Sequence, residues 1–384
     1  MPKVQKKKVV FVTSNPIDHD IRLIKEIKTL KQKDYTFTLL HWDRECKTDR
    51  LEKSKNYEEV RLRLKAPEII KVLPFFPIWW FFVFIYLLIS KWDIVHAVNF
   101  NCVIPCLIAG KLKRKLVIYE ILDVYEDMML LPGIIRSICL NVDKLFMRFV
   151  DAIIIVDETQ IEEIGGIPNS KIILMYDSPP YDFIKKDFTN IFNECKNKVF
   201  TLFYAGNLYK SRRLNLDKAL EAIEHIENIK LLIAGFGDLV QEIKEAMQRL
   251  PKKVEFVGKI SYEEVIKRGI KADLFFVLRD PIVPANKYTC GSTLFNAMIC
   301  GKPILVNKGS STAIKVHNEN CGLVVDANNI EEIKEAIIKL RDNPELCKEL
   351  GANARRAYEE RYSWEIMEQR LLNLYQEFTN KAVK

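Results

Sequence analysis

An α/β architecture of two Rossmann-like domains is predicted for this chain by three observations. Short apolar runs alternate with helical patterns from end to end. Many of those runs stop at Gly, Pro or polar residues, which is how the ligand edge of a parallel sheet is built. The chain has 384 residues, more than one hydrophobic core usually serves. Its composition, 48% hydrophobic and 29% charged, describes a folded chain and excludes a disordered or low-complexity one. The nine cysteines are odd in number and scattered, with no CxxC pair. A disulfide framework is therefore not expected, a reducing cytosol is the expected home, and no zinc pattern is visible.

The charge is uneven. Residues 1–115 carry 23 Lys and Arg against 12 Asp and Glu, so the other 269 residues sum to −3 of the net +8. A basic first third suits an anionic partner, with a solvated lysine-rich surface as the ordinary alternative. The opening MPKVQKKKVVFV has only four consecutive apolar residues, too few for a secretory signal, and is read as a first strand.

That strand, Val9 to Val12, ends in Thr13-Ser14-Asn15-Pro16. Ile21, Ile24, Ile27 and Leu30 then recur at helical spacing, and Phe37 to His41 forms a second strand. The turn between strand and helix lacks GxGxxG, so dinucleotide binding is not expected. In its place stand Asp18, Asp20 and Arg22, charged residues at the edge where ligands collect, with helix capping as the alternative role for the aspartates.

Residues 43–65 read as charged and irregular. From Val72 to Ser90 there is no charged residue, and eight aromatics fall within the stretch. Nineteen such residues approach membrane-spanning length. Pro74 and Pro77 shorten the helix, however, and a strand at Ile94 to Ala97 must join the sheet begun by Val9 to Val12. Spanning is therefore not expected. Two readings stay open: a helix buried on all sides, or one lying in a membrane interface, where Trp and Tyr are favoured beside basic charge.

Strands follow at Leu116 to Tyr119, Ala152 to Val156 and Lys171 to Met175, before the break Asp177-Ser178-Pro179-Pro180. The expected division is residues 1–180, a linker at 181–198, a second domain at 199–362, and a helix at 363–384 packing back towards the first domain. The second half repeats the alternation. Phe200 to Tyr204 ends in Ala205-Gly206-Asn207, Leu231 to Ala234 in Gly235-Phe236-Gly237, Val254 to Val257 in Gly258-Lys259, and Leu274 to Leu278 in Arg279-Asp280-Pro281. Tyr288 to Pro303 reads as a loop feeding a helix, capped at Ser292 or Thr293 and stopped by Gly301, between two strands. Such a helix start offers free N–H groups to an anion.

Taken together and in order, these motifs resemble the GT-B-fold glycosyltransferases, specifically the large retaining family 4, or group 1, type. The segments are TSNPIDHDIRLIKEIKTL, DIVHAVNF, KLVIYEILDVYED, DAIIIVDE, ILMYDSPP, FYAGNLYKSRRL, AGFGD, YTCGSTLFNAMICGKPI, GLVV and YSW. The resemblance implies two Rossmann-like domains facing a central cleft. It implies transfer of a sugar from a UDP- or GDP-linked donor, with retention, without metal and without a further cofactor. Arg212 takes the family's Lys position and, with Lys210 beside it, would offset the charge of the leaving diphosphate. Gly206, Asn207, Gly235, Gly237, Lys259, Tyr288, Gly291, Ser292, Thr293, Leu294 and Asn296 would bind the donor, and Asp18, Asp20, Arg22 and Asp123 would lie on the acceptor side.

The chain departs from the pattern at four positions. Asn207 replaces an arginine, Leu122 a histidine, and Tyr288 and Asn296 the two glutamates of E-x7-E. Asn296 keeps a carbonyl acceptor but no charge. Two functions are thus expected to compete. One is a glycosyltransferase at the cytoplasmic membrane face, using a glycan or lipid-linked acceptor and touching the membrane through residues 72–90. The other is a catalytically degenerate binding or regulatory subunit. Nucleic acid is not an expected partner, since no base-reading module accompanies the basic residues.

Overall fold

The computed structural model describes residues 6–15, 21–33, 35–46, 57–67, 69–124, 133–169, 171–181 and 199–381. The chain forms two compact units, Met1–Met175 with Met367–Lys384, and Tyr176–Ile366. The expected linker, apart from Tyr181, lies outside the described residues, as do Asp18 and Asp20.

In the first unit the elements run β1 (Lys8–Thr13), α1 (Ile21–Lys31), β2 (Thr36–Asp43), β3 (Glu58–Arg63), α2 (Phe76–Ile89), β4 (Ile94–Val98), α3 (Phe100–Lys113), β5 (Leu116–Ile121), α4 (Gly133–Met147), β6 (Ala152–Ile155), α5 (Gln160–Ile164) and β7 (Ile172–Leu174). The described strands make one parallel sheet in the order β3-β2-β1-β4-β5-β6-β7. β1, KVVFVT, is buried on both faces, which is why it reads as an unbroken apolar run. Val10 and Val12 face the core shared with α2, α3 and α4. Phe11, pointing the other way, meets Phe37 and His96.

β3 corrects the expectation of an irregular 43–65. Its sequence, EEVRLR, alternates charge with apolar residues on an edge strand, so no apolar run betrays it. Its register is held from inside by Glu59, which meets His41 at 2.5 Å and Arg61 at 3.0 Å. α2 falls between the two readings left open by the sequence. Phe76, Trp79, Val83 and Leu87 are buried, and Trp79 stacks on Trp42 at 5.8 Å. The opposite stripe, Ile78, Phe81, Ile85 and Ile89, is exposed. Residues Lys71–Ile89 are long and apolar enough to cross a membrane, yet the strands before and after belong to the same sheet.

The second unit contains β8 (Phe200–Asn207), α6 (Leu216–Glu224), β9 (Ile229–Phe236), α7 (Val240–Arg249), β10 (Val254–Phe256), α8 (Tyr262–Lys271), β11 (Leu274–Val277), α9 (Pro284–Tyr288), α10 (Ser292–Cys300), β12 (Ile304–Asn307), α11 (Ser311–Glu319), β13 (Gly322–Val325), α12 (Ile330–Arg341) and α13 (Pro344–Ala357). Its parallel sheet has the order β10-β9-β8-β11-β12-β13. The order reverses between β8 and β11, the point where doubly wound sheets open a ligand crevice. A last helix, α14 (Trp364–Lys381), begins in this unit and passes into the first. There Tyr375 is fully buried, Arg370 donates to the Leu174 carbonyl at 2.7 Å, and Lys171 pairs with Glu377.

Candidate functional site

The site is built on the strand ends of the second unit. β8 and β9 run in register as far as Gly206 opposite Gly235 and Asn207 opposite Phe236. Beyond that pair the backbones close up. A Cβ on Gly235 would lie 2.0 Å from the Gly206 carbonyl oxygen, and one on Gly237 would lie 2.3 Å from that of Leu208. Both glycines have positive φ, +152° and +145°, so sterics and conformation both demand Gly.

From β8 the chain enters a basic turn, Lys210–Arg212, with Arg213 and Asn215 left-handed. The turn rests on the loop that follows β11. The buried Asn286 amide donates to the carbonyls of Arg212, at 2.8 Å, and Asp280, at 2.9 Å. Asn215 donates to Leu278 at 2.8 Å, and Arg213 pairs with Asp280 at 3.0 Å. Arg212 is thus held through its backbone. Among the described residues its guanidinium makes no hydrogen bond or ion pair, but its charge reaches the Tyr204 phenol.

A second cation converges on that phenol. Tyr204 is buried and donates to the Asn207 carbonyl at 3.0 Å. Burial pushes its pKa up, and the positive charges of Arg279 and then Arg212 pull it part of the way back. The Arg279 guanidinium lies across the loop before α10, where a Cβ on Gly291 would come within 2.7 Å of its Nη1. Its Nε is buried without a hydrogen-bond partner among the described residues. Gly291 is the N-cap of α10 and no side chain closes that helix start. Arg279 therefore stands against a helix N-terminus at the ligand edge of a parallel sheet, and Arg212 shares with it the neighbourhood of the Tyr204 phenol. Such an arrangement suits a multiply charged anion, because cations and helix N–H groups add their fields there.

Other expected residues fall elsewhere. The Lys210 ammonium is engaged by Glu242 at 2.7 Å, which raises its pKa, and it borders a groove of about 830 Å³ between α6 and α7 with Arg213. Asn296 does not stand open to a ribose. It is a core amide, 2% exposed, whose carbonyl accepts from the hydroxyl of the half-buried Tyr262. Leu294 is likewise buried, so only its backbone belongs to the loop. Helix α10 starts at Ser292 with Gly291 as its cap, one residue before the expected position. Tyr288 closes α9, with the Lys287 ammonium 2.7 Å from its hydroxyl and 4.4 Å from its ring centre. Lys259 lies 5.0 Å over the ring of Phe236, which meets Tyr209 edge-on at 6.1 Å. Both aromatics are more than a third exposed at the end of β9.

In the first unit, Arg22 corrects its acceptor-side expectation. It is 5% exposed, and its Nε bonds Glu120 at 2.7 Å and Glu26 at 3.2 Å while Nη1 donates to the Met175 carbonyl at 2.8 Å. His96 completes the network, 3.2 Å from Glu120 through Nε2 and 2.9 Å from the Tyr375 hydroxyl through Nδ1. Burial alone would raise the Glu120 pKa, but the charge of Arg22 and the contacts of His96 outweigh it and hold the carboxyl at about 2. Glu26, His96 and Glu120 are metal-ligand types in close array. Arg22 already bridges the two carboxylates, however, so the cluster is closed by a side chain of its own. Asp123 stands half-buried just past the end of β5. The neighbouring loop is tied by Asn99, which accepts from the Leu122 amide at 2.9 Å, and by Gln160, which donates to the Leu122 carbonyl at 3.2 Å.

Sequence reasoning passed over Arg279 and Tyr204. Arg279 follows the strand Leu274 to Leu278 directly, and a cation at that edge is itself a signal. Tyr204 gives none, since it reads as one more apolar strand residue.

The chain is similar to known proteins in sequence and in fold. Residues 186–357 match the family described as Glycosyl transferases group 1. An uncharacterised glycosyltransferase of Methanocaldococcus jannaschii is 29% identical over 48% of this chain and 47% of its own length. A GDP-mannose-dependent monoacylated alpha-(1-6)-phosphatidylinositol monomannoside mannosyltransferase of Corynebacterium glutamicum is 29% identical over 38% of this chain and 39% of its own. The chain thus spans about half, or less, of these two relatives. Among solved structures, sucrose-phosphate synthase from Thermosynechococcus elongatus superposes with a TM-score of 0.77 over 98% of this chain and 100% of the other, at 15% identity. Anabaena HepE in complex with UDP-glucose gives 0.71 over 96% and 99%, also at 15% identity. The fold is GT-B, as the sequence resemblance implied.

Proposed function

We propose that this chain, which carries a group 1 glycosyltransferase domain on a GT-B fold, moves a sugar from a nucleotide-sugar donor to a glycan or lipid-linked acceptor at the cytoplasmic membrane face. The observation that carries this reading is Arg279 lying against Gly291 at the uncapped start of α10, with the charge of Arg212 reaching the Tyr204 phenol that Arg279 also faces. In the transfer, the bond from the anomeric carbon to the donor diphosphate breaks and a bond to an acceptor hydroxyl forms, with retention. The electron pair of the broken bond leaves with the nucleoside diphosphate, which takes up the proton of the acceptor hydroxyl, and the arginines and helix N–H groups offset the negative charge that grows on it. In this reading the arginines and helix N–H groups take the part that a metal ion would otherwise play. The exposed rings of Phe236 and Tyr209, with Lys259 beside them, offer apolar area and a cation to the base. The acceptor belongs to the first unit, near Asp123, and the exposed stripe of α2 touches the membrane.

Tyr288 and Asn296, which bring no acidic side chain to the donor loop, favour a second reading, a binding subunit that holds nucleotide without turnover. One experiment separates the two. Purified protein is given UDP- and GDP-sugars with membrane extract, and both nucleotide binding and nucleoside diphosphate release are followed. Release that falls by about 10²–10³-fold in Arg279→Ala, with the unfolding temperature of the apo-protein unchanged, supports transfer. Binding without release supports the subunit, and neither binding nor release sinks both readings.

A further inference from the structure

The outer surface of the first unit carries more apolar area than α2 alone. α2, α3 and α4 pack side by side on one face of the sheet, their inner stripes sharing one core. Trp80 donates to the Asn101 carbonyl at 2.9 Å, Lys113 caps the carbonyls of Leu87 and Leu88 at 3.0 Å, and Phe100 meets Phe146 at 6.3 Å between ring centres. With the inner stripes committed, the outer stripes must look away from the sheet together. On α4 and the residue pair after it, that stripe is Ile134, Ile135, Ile138, Val142, Leu145 and Phe149, all exposed. α3 adds Ile108 and Leu112, and α2 adds Ile78, Phe81, Ile85 and Ile89. Ile134 is 80% exposed, Ile89 78% and Leu112 65%, so these are open side chains rather than the rims of buried ones. A continuous outer face of this kind is not what an ordinary monomer surface shows.

Charge decides what would cover it. The three helices together hold one carboxylate, Asp143, which is 3% exposed and accepts from the Tyr119 hydroxyl at 3.2 Å. Cations, by contrast, are exposed beside the helix ends: Lys71 and Lys91 flank α2, Lys111 and Arg114 end α3, and Arg148 follows α4. Apolar side chains inside a cationic rim, with no exposed acid among the described residues of the three helices, match an anionic bilayer, whose headgroups meet the rim while its acyl boundary receives the stripe. A second copy is a poor match, because a two-fold contact on this face would set two cationic rims against each other.

We infer that α2, α3 and α4 form one monotopic insertion face for anionic lipid, and that α4 supplies its largest apolar share. The inference rests on the lipid-linked acceptor proposed above and deepens it. α4 is the helix that follows β5, past whose end Asp123 stands, and the acceptor of that reading would be anchored in the same bilayer.

The test uses the full chain and sedimentation with vesicles of phosphatidylcholine, alone or mixed with phosphatidylglycerol. Wild type is expected on the mixed vesicles and not on phosphatidylcholine alone, with binding that weakens as salt is raised. The double variant Ile138→Glu/Leu145→Glu should lose at least about tenfold in vesicle affinity. Both side chains already face water, so nucleotide binding and the unfolding temperature should stay at wild-type values. Ile24→Glu, exposed on α1 across the sheet, should bind vesicles as wild type does. Equal binding by the double variant and wild type overturns the inference. So does a wild type that ignores anionic vesicles, or one that forms dimers which the double variant dissolves. Vesicle binding needs neither donor nor acceptor. A failed anchor with nucleotide binding intact therefore removes this inference alone, whereas vesicle binding without nucleotide binding removes the proposed function alone.

Discussion

Glu120 shows how a single residue can look like a ligand of the site and be part of the scaffold. Its carboxylate is buried between Arg22 and His96 and held at about 2, below its ordinary 4.5. A carboxyl depressed in the folded state adds stability above its unfolded pKa, and that contribution is lost as the pH falls from about 4.5 towards 2. Denaturant unfolding followed across this window should show stability falling towards acid in wild type. Glu120→Gln should flatten that slope and, by leaving Arg22 short of a partner, cost about 3–5 kcal/mol at neutral pH. Arg22 was expected to meet an acceptor because a charged cluster after a first strand commonly does. What the sequence does not carry is the distance between Arg22 and Glu120, far apart in the chain and 2.7 Å apart in space. The same blindness applies to Arg279 and Tyr204, whose meaning arises only when β8 and β11 are neighbours.

At the scale of elements, legibility followed burial. Strands covered on both faces, such as β1 and β11, announce themselves as apolar runs, and Gly301 at φ +62° closes α10 where its sequence says it should. β3 was missed because an edge strand needs no apolar run and this one is protected by its charges. Loop positions were readable where geometry demands glycine. Gly235 is the sharpest case. In Gly235→Ala the new Cβ would meet the Gly206 carbonyl at 2.0 Å in a backbone region that alanine avoids. The variant should lose about 2–4 kcal/mol of stability, seen as a lowered unfolding temperature. Nucleotide affinity should fall with it, since β8 and β9 can no longer close up beneath the basic turn.

At the scale of the molecule, the GT-B fold was legible from the order of weak motifs, none of which identifies it alone. The donor loop shows the limit of that kind of reading: its backbone matches a pattern whose acidic side chains this chain lacks. The two units also give the whole protein a measurable signature. A nucleotide that binds the second unit should raise the unfolding temperature of that unit in calorimetry. Tyr375→Phe deletes the hydroxyl that meets His96 at 2.9 Å inside the first unit, and should lower that unit's transition by about 1–3 kcal/mol in stability.

Tyr375 sits on α14, and α14 sets an order in time. The second unit, Tyr176–Ile366, is one continuous run of sequence, whereas the first unit is missing a buried helix until Trp364–Lys381 has been made. A ribosome that delivers the first 175 residues early still delivers a sheet whose His96 and Glu120 network lacks its last member. Chains usually finish their domains from the N-terminus onward. Here the half synthesised first is completed last.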